Sequence, residues 1–404
     1  MPDRKLATSR EAPNGPLRAA FLLCRKKLKQ SEIAEELGTT QATVSRLLDQ
    51  AEAQRFLKRP APKLDCKRLP DGLLEQFEHE STLEVDLAKA LVKIMSKPAQ
   101  RPKIHVIAAT TPQRFIAGVA DYVTRLLARI RVIGVTGGRT TRFLLSYLQE
   151  HRDLLSFQKR NNLRFIPLSG DPTFVINLEK QVHSASHLAA DFERLILGKV
   201  RQDSPSLAGV PAYCAFDEER DQTDALRRFV RCIPGYRAIF GDAGSGVNGS
   251  TRQGLISDVQ LLLTGVGAVG NPNNKEAEMG EFILERICQH NACADLGLGK
   301  AISSNELAAW IHGDIAGYLL VKHGIPNAAL RTVEALNTGW TGVNAVHLQR
   351  VTQEARRDPR RPGVVVIAFA RSKATVIAET IRRGLTHHLV ISARLGRHLL
   401  DVIS

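Results

Sequence analysis

The chain has 404 residues, of which 43% are apolar, and a formal net charge of +15, so it is long enough for one small domain and one or two larger domains with apolar cores. It has no apolar run of 18 residues and no apolar signal core near its polar N-terminus, which argues against a membrane-spanning or secreted protein and favours a cytoplasmic one. Its six cysteines include no CxxC pair, which argues against a disulfide framework or a zinc site, and no metal or other cofactor is expected.

The first predicted elements lie in the stretch QSEIAEELGTTQATVSRLL, which has the spacing of a helix-turn-helix. Ser31 is predicted to cap the first helix and Gly38 to end it. Thr39 or Thr40 then caps a second helix over residues 41–54. A preceding helix over residues 17–28 completes a three-helix core. The apolar residues predicted to form this core are Leu17, Ala20, Phe21, Leu28, Ile33, Ala34, Leu37, Val44, Leu47, Leu48 and Ala51.

The outer face of the second helix is left for DNA. Its side chains are short or forked enough to reach base edges and phosphates in a major groove. The predicted contacts with double-stranded DNA are Thr40, Gln41, Ala42, Thr43, Ser45 and Arg46. The alternative is an ordinary pair of short surface helices, but the capping, glycine and apolar positions all agree with a DNA reader.

The distribution of charge supports this interpretation. Residues 1–70 hold 15 Lys and Arg against 8 Asp and Glu, whereas residues 71–349 hold 30 against 29 and residues 350–404 hold 11 against 4. A basic N-terminal unit is the expected footprint of phosphate contact. The cluster formed by Arg25, Lys26, Lys27 and Lys29 could meet the DNA backbone or be a solvated helix end.

A proline-rich stretch, KRPAPKLDCKRLPDG, predicts the end of a winged element and a linker. We therefore expect a DNA-binding domain over residues 1–70 and a second domain over residues 71–404, which begins with a helix over 73–97. Short apolar strands then alternate with helices, which predicts a mainly parallel, Rossmann-like α/β sheet covered on both faces. The predicted strands are 103–109, 132–135, 163–168, 237–240, 259–264, 364–369 and 389–391; the helices between them include 115–128, 141–149, 185–197 and 374–383.

Ligands of such sheets gather where parallel strands end. After the strand RVIGV, the turn Thr136-Gly137-Gly138-Arg139-Thr140-Thr141 opens a helix and offers backbone N–H groups, hydroxyls and a cation to an anion. A ligand-free turn is the alternative. The turn after VVVIAF ends in Lys373, which could meet a phosphate or hydroxyl or be merely solvated. Asp314 could accept hydrogen bonds from a ligand or cap a helix IAGYLL.

Two glycine-rich stretches, 244–249 and 265–270, imitate a dinucleotide fingerprint. The second is followed by Asn271-Pro272, which interrupts the helix whose N-terminus would hold the pyrophosphate, and the first shows little helical pattern afterwards. Nicotinamide binding is therefore not expected.

The order of these segments resembles the SorC family of bacterial transcriptional regulators, in which a helix-turn-helix precedes a sugar-binding domain. The similarity runs from about Leu17 to Val402. It is carried by KQSEIAEELGTTQATVSRLL, RVIGVTGGRTT, LLLTGVGAVG, HGDIAGYLL, LNTGWTGVNAVHLQRV and VVVIAFARSKATVIAETIRRGLTHHLVISARLGRHLL. The resemblance implies that the large domain is similar to the sugar-phosphate isomerase and deaminase fold. It also implies a phosphorylated sugar or related metabolite as effector, and a homodimer or homotetramer.

By position, the resemblance implies that an effector loop is lined by Thr136, Gly137, Gly138, Thr140 and Thr141, with Asp314 as the acidic contact and Lys373 as the basic one. Arg139 interrupts the usual Gly-Gly-Thr-Thr run. Phe369-Ala370-Arg371 replaces the glycines expected before the lysine, and residues 167–170 lack a basic residue that some relatives place there. These departures leave the effector's identity open.

Two other classes of protein remain possible from the residues. The same architecture serves sugar-phosphate isomerases and deaminases, in which Asp314 and Lys373 could act as an acid/base pair. A factor encoded on a mobile element that processes DNA, with a basic C-terminus that also touches DNA, is the third reading. We predict a regulator rather than an enzyme.

Overall fold

The computed structural model describes residues 15–58, 63–64, 73–95, 101–128, 130–155, 163–170, 184–212, 225, 228–241, 253–269 and 304–404. Its N-terminal unit begins with three helices and a short antiparallel pair of strands, which form the predicted wing. These elements are α1 (Gly15–Cys24), α2 (Gln30–Glu36), α3 (Gln41–Ala53), β1 (Leu57–Lys58) and β2 (Lys63–Leu64).

The three helices form the predicted helix-turn-helix core. Gly38 has a φ of +63°, a conformation that glycine adopts without strain, and ends the first helix of the motif. The predicted N-cap at Ser31 is wrong. The helix begins at Gln30, and the Glu32 carboxylate accepts a hydrogen bond of 2.6 Å from the backbone N–H of Lys29. A first-turn acid that bonds the N-cap N–H does part of the work of a hydroxyl cap.

A 22-residue helix, α4 (Leu73–Ile94), joins this unit to the larger domain. Near its N-terminus, Phe77 packs into the helix-turn-helix core, with its ring centroid 5.6 Å from that of Phe21. Further along the helix, Leu87 and Leu91 are fully buried in the core of the large domain. The helix therefore belongs to both hydrophobic cores. It begins at Leu73, just after the domain boundary predicted at residue 70.

The large domain contains a six-stranded, wholly parallel sheet with the order β3-β11-β10-β6-β4-β5. Apolar side chains bury both of its faces, as the continuous apolar runs predict. Its strands are β3 (Lys103–Ile107), β4 (Val132–Val135), β5 (Arg164–Pro167), β6 (Leu261–Thr264), β10 (Gly363–Ala368) and β11 (His388–Ser392).

Helices cover both faces of this sheet, and the mixed α/β class with a mainly parallel sheet is confirmed. Within the described ranges, the further helices of the large domain are α5 (Pro112–Leu127), α6 (Arg139–Glu150), α7 (Ala185–Leu197), α8 (Pro234–Phe240), α9 (Ser304–Trp310), α10 (Asn327–Gly339), α11 (Ala345–Arg357), α12 (Ala374–Arg382) and α13 (Ala393–Ile403). No helix within the described ranges is both long enough and apolar enough to span a bilayer.

The predicted strand at 237–240 is wrong, because these residues belong to α8. Pro234 occupies the first turn and Gly241, with a φ of +79°, follows the last residue. Proline at the start and glycine after the end are helix signals. They outweigh a three-residue apolar run, whose length does not distinguish a strand from a helix.

A second, three-stranded antiparallel sheet has the order β7-β8-β9, with strands Val266–Ala268, Ile311–Ile315 and Tyr318–Val321. The helix considered for IAGYLL is therefore wrong. Ala316 and Gly317 have φ values of +56° and +87°, and two successive positive values belong to the turn of a tight hairpin. Of the two glycine-rich stretches, 244–249 lies outside the described residues, and residues 266–268 of the other form a strand.

Candidate functional site

The second helix of the motif, α3, starts at a well-formed cap. Thr40 has an extended backbone, and its Oγ1 accepts a hydrogen bond of 3.2 Å from the N–H of Thr43. The two threonine hydroxyls lie 3.0 Å apart, and Arg46 donates from Nη2 to Thr43 Oγ1 at 3.3 Å. This chain of contacts links Arg46 to the N-terminal cap of α3 along the outer face of the helix.

The six residues predicted to meet DNA do not share one environment. Thr40, Gln41, Ala42 and Arg46 are exposed, whereas Thr43 and Ser45 are half-buried. Thr43 lines a cavity of about 780 Å³ between the helix-turn-helix unit and the large domain, together with Gly38 and Thr39. The exposed members leave a polar stripe of α3 accessible on the side away from Val44 and Leu48, which are fully buried.

The basic cluster beside the motif is exposed, but Arg25 has an intramolecular partner. Its Nη2 lies 3.2 Å from Glu78 Oε1 on α4, with both side chains about half exposed. Exposed pairs of this kind contribute about 0–1 kcal/mol. This ion pair is thus a contact between the motif and α4 that adds little stability, while Lys26, Lys27 and Lys29 remain exposed.

The junction between the two units is polar and deeply buried. The ring of His105 on β3 stacks on that of Tyr122 on α5, at 4.6 Å between centroids, and its Nδ1 lies 3.6 Å from Glu84 Oε1. Burial, together with the positive charges of Arg18 and Arg125, lowers the pKa of His105 to about 3. His105 is therefore neutral in the folded protein at pH 7.

The predicted effector loops meet at the carboxyl edge of the sheet. Strand β6 lies between β4 and β10, all three are parallel, and Val135 is opposite Leu263 while Thr264 is opposite Val366. The turns that follow these strands must therefore be neighbours. This is the edge at which open α/β sheets bind ligands.

The first of these turns divides into a buried part and an open part. Thr136 is buried, and its Oγ1 donates to Thr264 Oγ1 at 3.0 Å, so this hydroxyl ties β4 to β6. Gly138 has a φ of +140°, and a Cβ placed on it would meet nothing within 4 Å. The space next to Gly138, at the N-terminus of α6, is therefore open. Its first residue, Arg139, is exposed, Gly137 and Thr140 are half-buried, and Thr141 is buried.

Gly265 shows how closely the loops approach. A Cβ added to it would lie 3.6 Å from Thr140 Oγ1 and 3.8 Å from the carbonyl oxygen of Ile367 on β10. The start of α6, the end of β6 and the end of β10 therefore meet around one glycine. Lys373 lies in the turn that follows β10; it is half-buried and ends a 3₁₀ turn that packs against β7.

Asp314 lies opposite Gly267 in the small sheet and is buried. Its Oδ2 accepts a hydrogen bond of 2.7 Å from the N–H of Gly317, so it stabilises the β8–β9 hairpin. The neighbouring Gly313 has a φ of +144°, and a Cβ there would lie 2.0 Å from the carbonyl oxygen of Gly267. Only glycine permits this close approach of β8 to β7. The approach places the small sheet next to the carboxyl edge of the large sheet.

Two residues at this edge were not singled out from the sequence. Thr264 ends the apolar strand β6 and carries the hydroxyl that receives Thr136; Ser392 ends β11, donates to the carbonyl of Phe369 at 2.8 Å and caps α13. Each is a hydroxyl residue at the last position of a mainly apolar strand. This pattern could have identified both residues from the sequence.

No protein-family model matches the chain, and no curated protein matches it. Among solved structures, it is similar to the full-length sorbitol operon regulator SorC from Klebsiella pneumoniae, at 17% identity over 95% of this chain and 98% of that chain, with a TM-score of 0.49. It is similar to a DeoR family transcriptional regulator from Listeria monocytogenes at 15% identity over 78% of this chain and 99% of that chain, with a TM-score of 0.46. A transcriptional regulator from Streptococcus pneumoniae TIGR4 has 14% identity over 81% and 97%, with a TM-score of 0.46. At these identities and TM-scores the likenesses assign no function to this chain.

Proposed function

We propose that this protein is a cytoplasmic transcriptional regulator that binds double-stranded DNA through α3 and whose DNA binding responds to a small phosphorylated sugar. The observation that carries the proposal is the capped helix-turn-helix, with Gln41, Ala42 and Arg46 exposed on its outer face. Such a helix end is the part of the motif that enters a major groove.

The effector site of this proposal lies at the carboxyl edge of the sheet. The open N-terminus of α6 beneath Gly138 offers backbone donors to a phosphate, and Lys373 supplies a cation from the turn after β10. Asp314 holds a hairpin turn through Oδ2. We therefore propose that Asp314 fixes the position of the small sheet and does not act as an acid or base.

The effector acts by a population shift. It prefers one arrangement of the subunits of a homodimer or homotetramer and so changes the spacing of paired α3 helices on DNA. The arrangement is transmitted through α4, which packs in both cores. Sedimentation of the purified protein measures the oligomeric state, and a monomer at working concentration would contradict this part.

The test starts with selection of duplexes from a random library by the full-length protein. We expect a sequence with two half-sites to emerge, and we expect Arg46→Ala to weaken its binding. Failure to enrich any sequence would overturn the proposed function.

Glucose 6-phosphate, fructose 6-phosphate and related phosphosugars are then screened for a rise in Tm and a change in affinity for the selected duplex. Lys373→Ala is expected to bind DNA normally and lose the response, whereas Arg371→Ala, an exposed cation in the same turn, keeps it. A Lys373→Ala protein that responds like the wild type would remove this residue from the site.

A further inference from the structure

The edge of the sheet opposite the effector loops is a continuous surface. Backbone hydrogen bonds connect the beginnings of the strands: Lys103 N–H donates to His387 O at 2.8 Å, Gly363 N–H to Gln260 O at 2.8 Å, and Arg164 N–H to Arg131 O at 2.7 Å. Since neighbouring strands are about 4.8 Å apart, the distance from Lys103 on β3 to Arg131 before β4 is roughly 19 Å.

This edge carries an excess of exposed cations, which we call the basic edge. Its exposed members are Arg101, Lys103, Arg131, Arg357, Arg360 and Arg382. Asp358 pairs with Arg360, and the buried Glu379 pairs with Arg382. The other four make no ion pair with any residue of the described ranges. Asp258, just before β6, is an exposed acid on this edge.

The pairing of charges distinguishes this surface from an ordinary solvated one. Proteins usually intersperse both signs of charge on their surfaces. Here the turn from α11 into β10 places Arg356, Arg357, Arg360 and Arg361 within six residues. Arg360 pairs with Asp358 and Arg361 with Glu354, which leaves two further arginines in this turn. Burial lowers the pKa of His387, and the positive charges of Lys103 and Arg356 act in the same direction, so cations from the β3 and β10 ends of the edge lie near one buried group.

The turn that leads into α3 lies near the same end of the large domain. Gly38, three residues before α3, packs on α5, because a Cβ there would lie 3.0 Å from the Cβ of Arg125. Arg125 is in the last turn of α5. A helix that connects parallel strands ends where the next strand begins, so α5 leads directly to Arg131 and the basic edge.

We propose that the basic edge is a second DNA-contact surface, on which the large domain binds the phosphates that flank the base pairs read by α3. The inference rests on the proposed function, because DNA is the polyanion that the helix-turn-helix brings to the molecule. The contact is independent of sequence, since phosphates carry no base identity. In this arrangement the large domain contacts the DNA directly and also carries the effector site.

The experiment measures how DNA affinity depends on salt. Fluorescence anisotropy follows the full-length protein on a labelled 40-bp duplex of arbitrary sequence between about 50 and 200 mM KCl. Each phosphate contact contributes about 0.9 to the slope of log K against log salt. We expect the triple variant Lys103→Gln, Arg131→Gln, Arg357→Gln to have a slope shallower by about 2 to 3, and each single variant by about 0.9.

The matched control neutralises three exposed arginines away from this edge: Arg331→Gln on α10, Arg371→Gln after β10 and Arg394→Gln at the start of α13. Circular dichroism and melting confirm that both triple variants fold. A slope equal in the two triple variants would overturn the inference, because the effect would then be one of net charge. If the wild type binds no duplex at all, the proposed function fails; if it binds and the basic-edge variant keeps the wild-type slope, only this inference fails.

Discussion

At the level of single residues, several polar groups of the candidate sites have structural roles within the protein. Thr40 caps α3 and positions Thr43, which in turn receives Arg46. Thr136 ties two strands together, and Asp314 holds a hairpin turn. Each is a polar side chain whose hydrogen bond partner lies inside the protein, so replacing one costs stability as well as any contact with a ligand.

The cap at Thr40 gives a first testable expectation. Thr40→Ala removes the acceptor of the Thr43 N–H and should lower the local stability of α3 by about 1 kcal/mol. Hydrogen exchange of the α3 amides in the DNA-free protein measures this. Thr40→Ser keeps the oxygen and should keep the protection; equal protection in the alanine variant would show that the cap is not used.

The buried histidine at the junction makes stability depend on pH. His105 has a pKa of about 3 in the folded protein and an ordinary value of 6.5. Between these values the unfolded chain binds the proton that the folded chain does not, so stability is full above about pH 6.5 and is lost as the pH falls towards 3.

From pH 7 to pH 5 this single group should remove about 2 kcal/mol from the free energy of unfolding. Urea denaturation at the two pH values measures the loss. His105→Gln should reduce the difference between the two pH values by about that amount, whatever its effect on stability at pH 7. A pH dependence equal to that of the wild type would show that His105 titrates normally.

At the level of elements, α4 is the feature that unites the molecule. One face near its start contributes Phe77 to the helix-turn-helix core, and later turns contribute Leu83, Leu87 and Leu91 to the core of the large domain. A continuous helix transmits rotation and translation between its ends, whereas a flexible linker does not. The large domain and the helix-turn-helix unit are thus coupled by packing on both sides of one rigid element.

Truncation of Phe77 tests this coupling. Phe77→Ala removes a buried ring from the helix-turn-helix core and should destabilise that unit by about 3–5 kcal/mol. We expect an early transition in chemical denaturation, with loss of DNA binding before the large domain unfolds. Phe143→Ala on α6, whose side chain is 53% exposed, is the control and should change stability by under about 0.5 kcal/mol. Equal effects of the two changes would contradict the shared core.

At the level of the whole molecule, our two proposals assign different ligands to the two edges of the sheet. The carboxyl edge gathers the turns after β4, β6 and β10, and the opposite edge gathers cations before β3, β4 and β10. Effector and DNA phosphates would therefore approach the large domain from opposite sides. Binding at one edge then need not block the other, which suits a sensor that modulates its DNA affinity.

Fragments test where the large domain begins. A fragment of residues 101–404 lacks α4 and exposes the surface that buries Leu83, Leu87 and Leu91; at about 2–5 kcal/mol for each truncated leucine, this loss is as large as the stability of a typical domain. We expect a fragment of residues 73–404 to unfold cooperatively and the shorter one to aggregate or melt without a transition. Cooperative unfolding of both fragments, followed by calorimetry, would exclude α4 from the core.

Local patterns were sufficient for the helix-turn-helix and the main strands, because caps, turns and apolar periodicity depend on residues close in the chain. Gly38, Thr40 and the buried face of Val44 and Leu48 were read this way. The same patterns failed at 237–240 and at the β8–β9 hairpin. A short apolar run can form either a helix or a strand. A positive φ is uncommon for alanine, so the residue type at position 316 did not predict a turn there.

The positions of the candidate site residues relative to each other depend on contacts between distant parts of the chain. Thr136 contacts Thr264, 128 residues later in the chain, and Phe77 packs against Phe21, 56 residues earlier. The basic edge exists only because parallel strands begin side by side, which brings Lys103, Arg131 and Arg357 to one surface. The local sequence determined which helices and strands form. The order of the strands in the sheet determined which of their ends lie together and could contact one ligand.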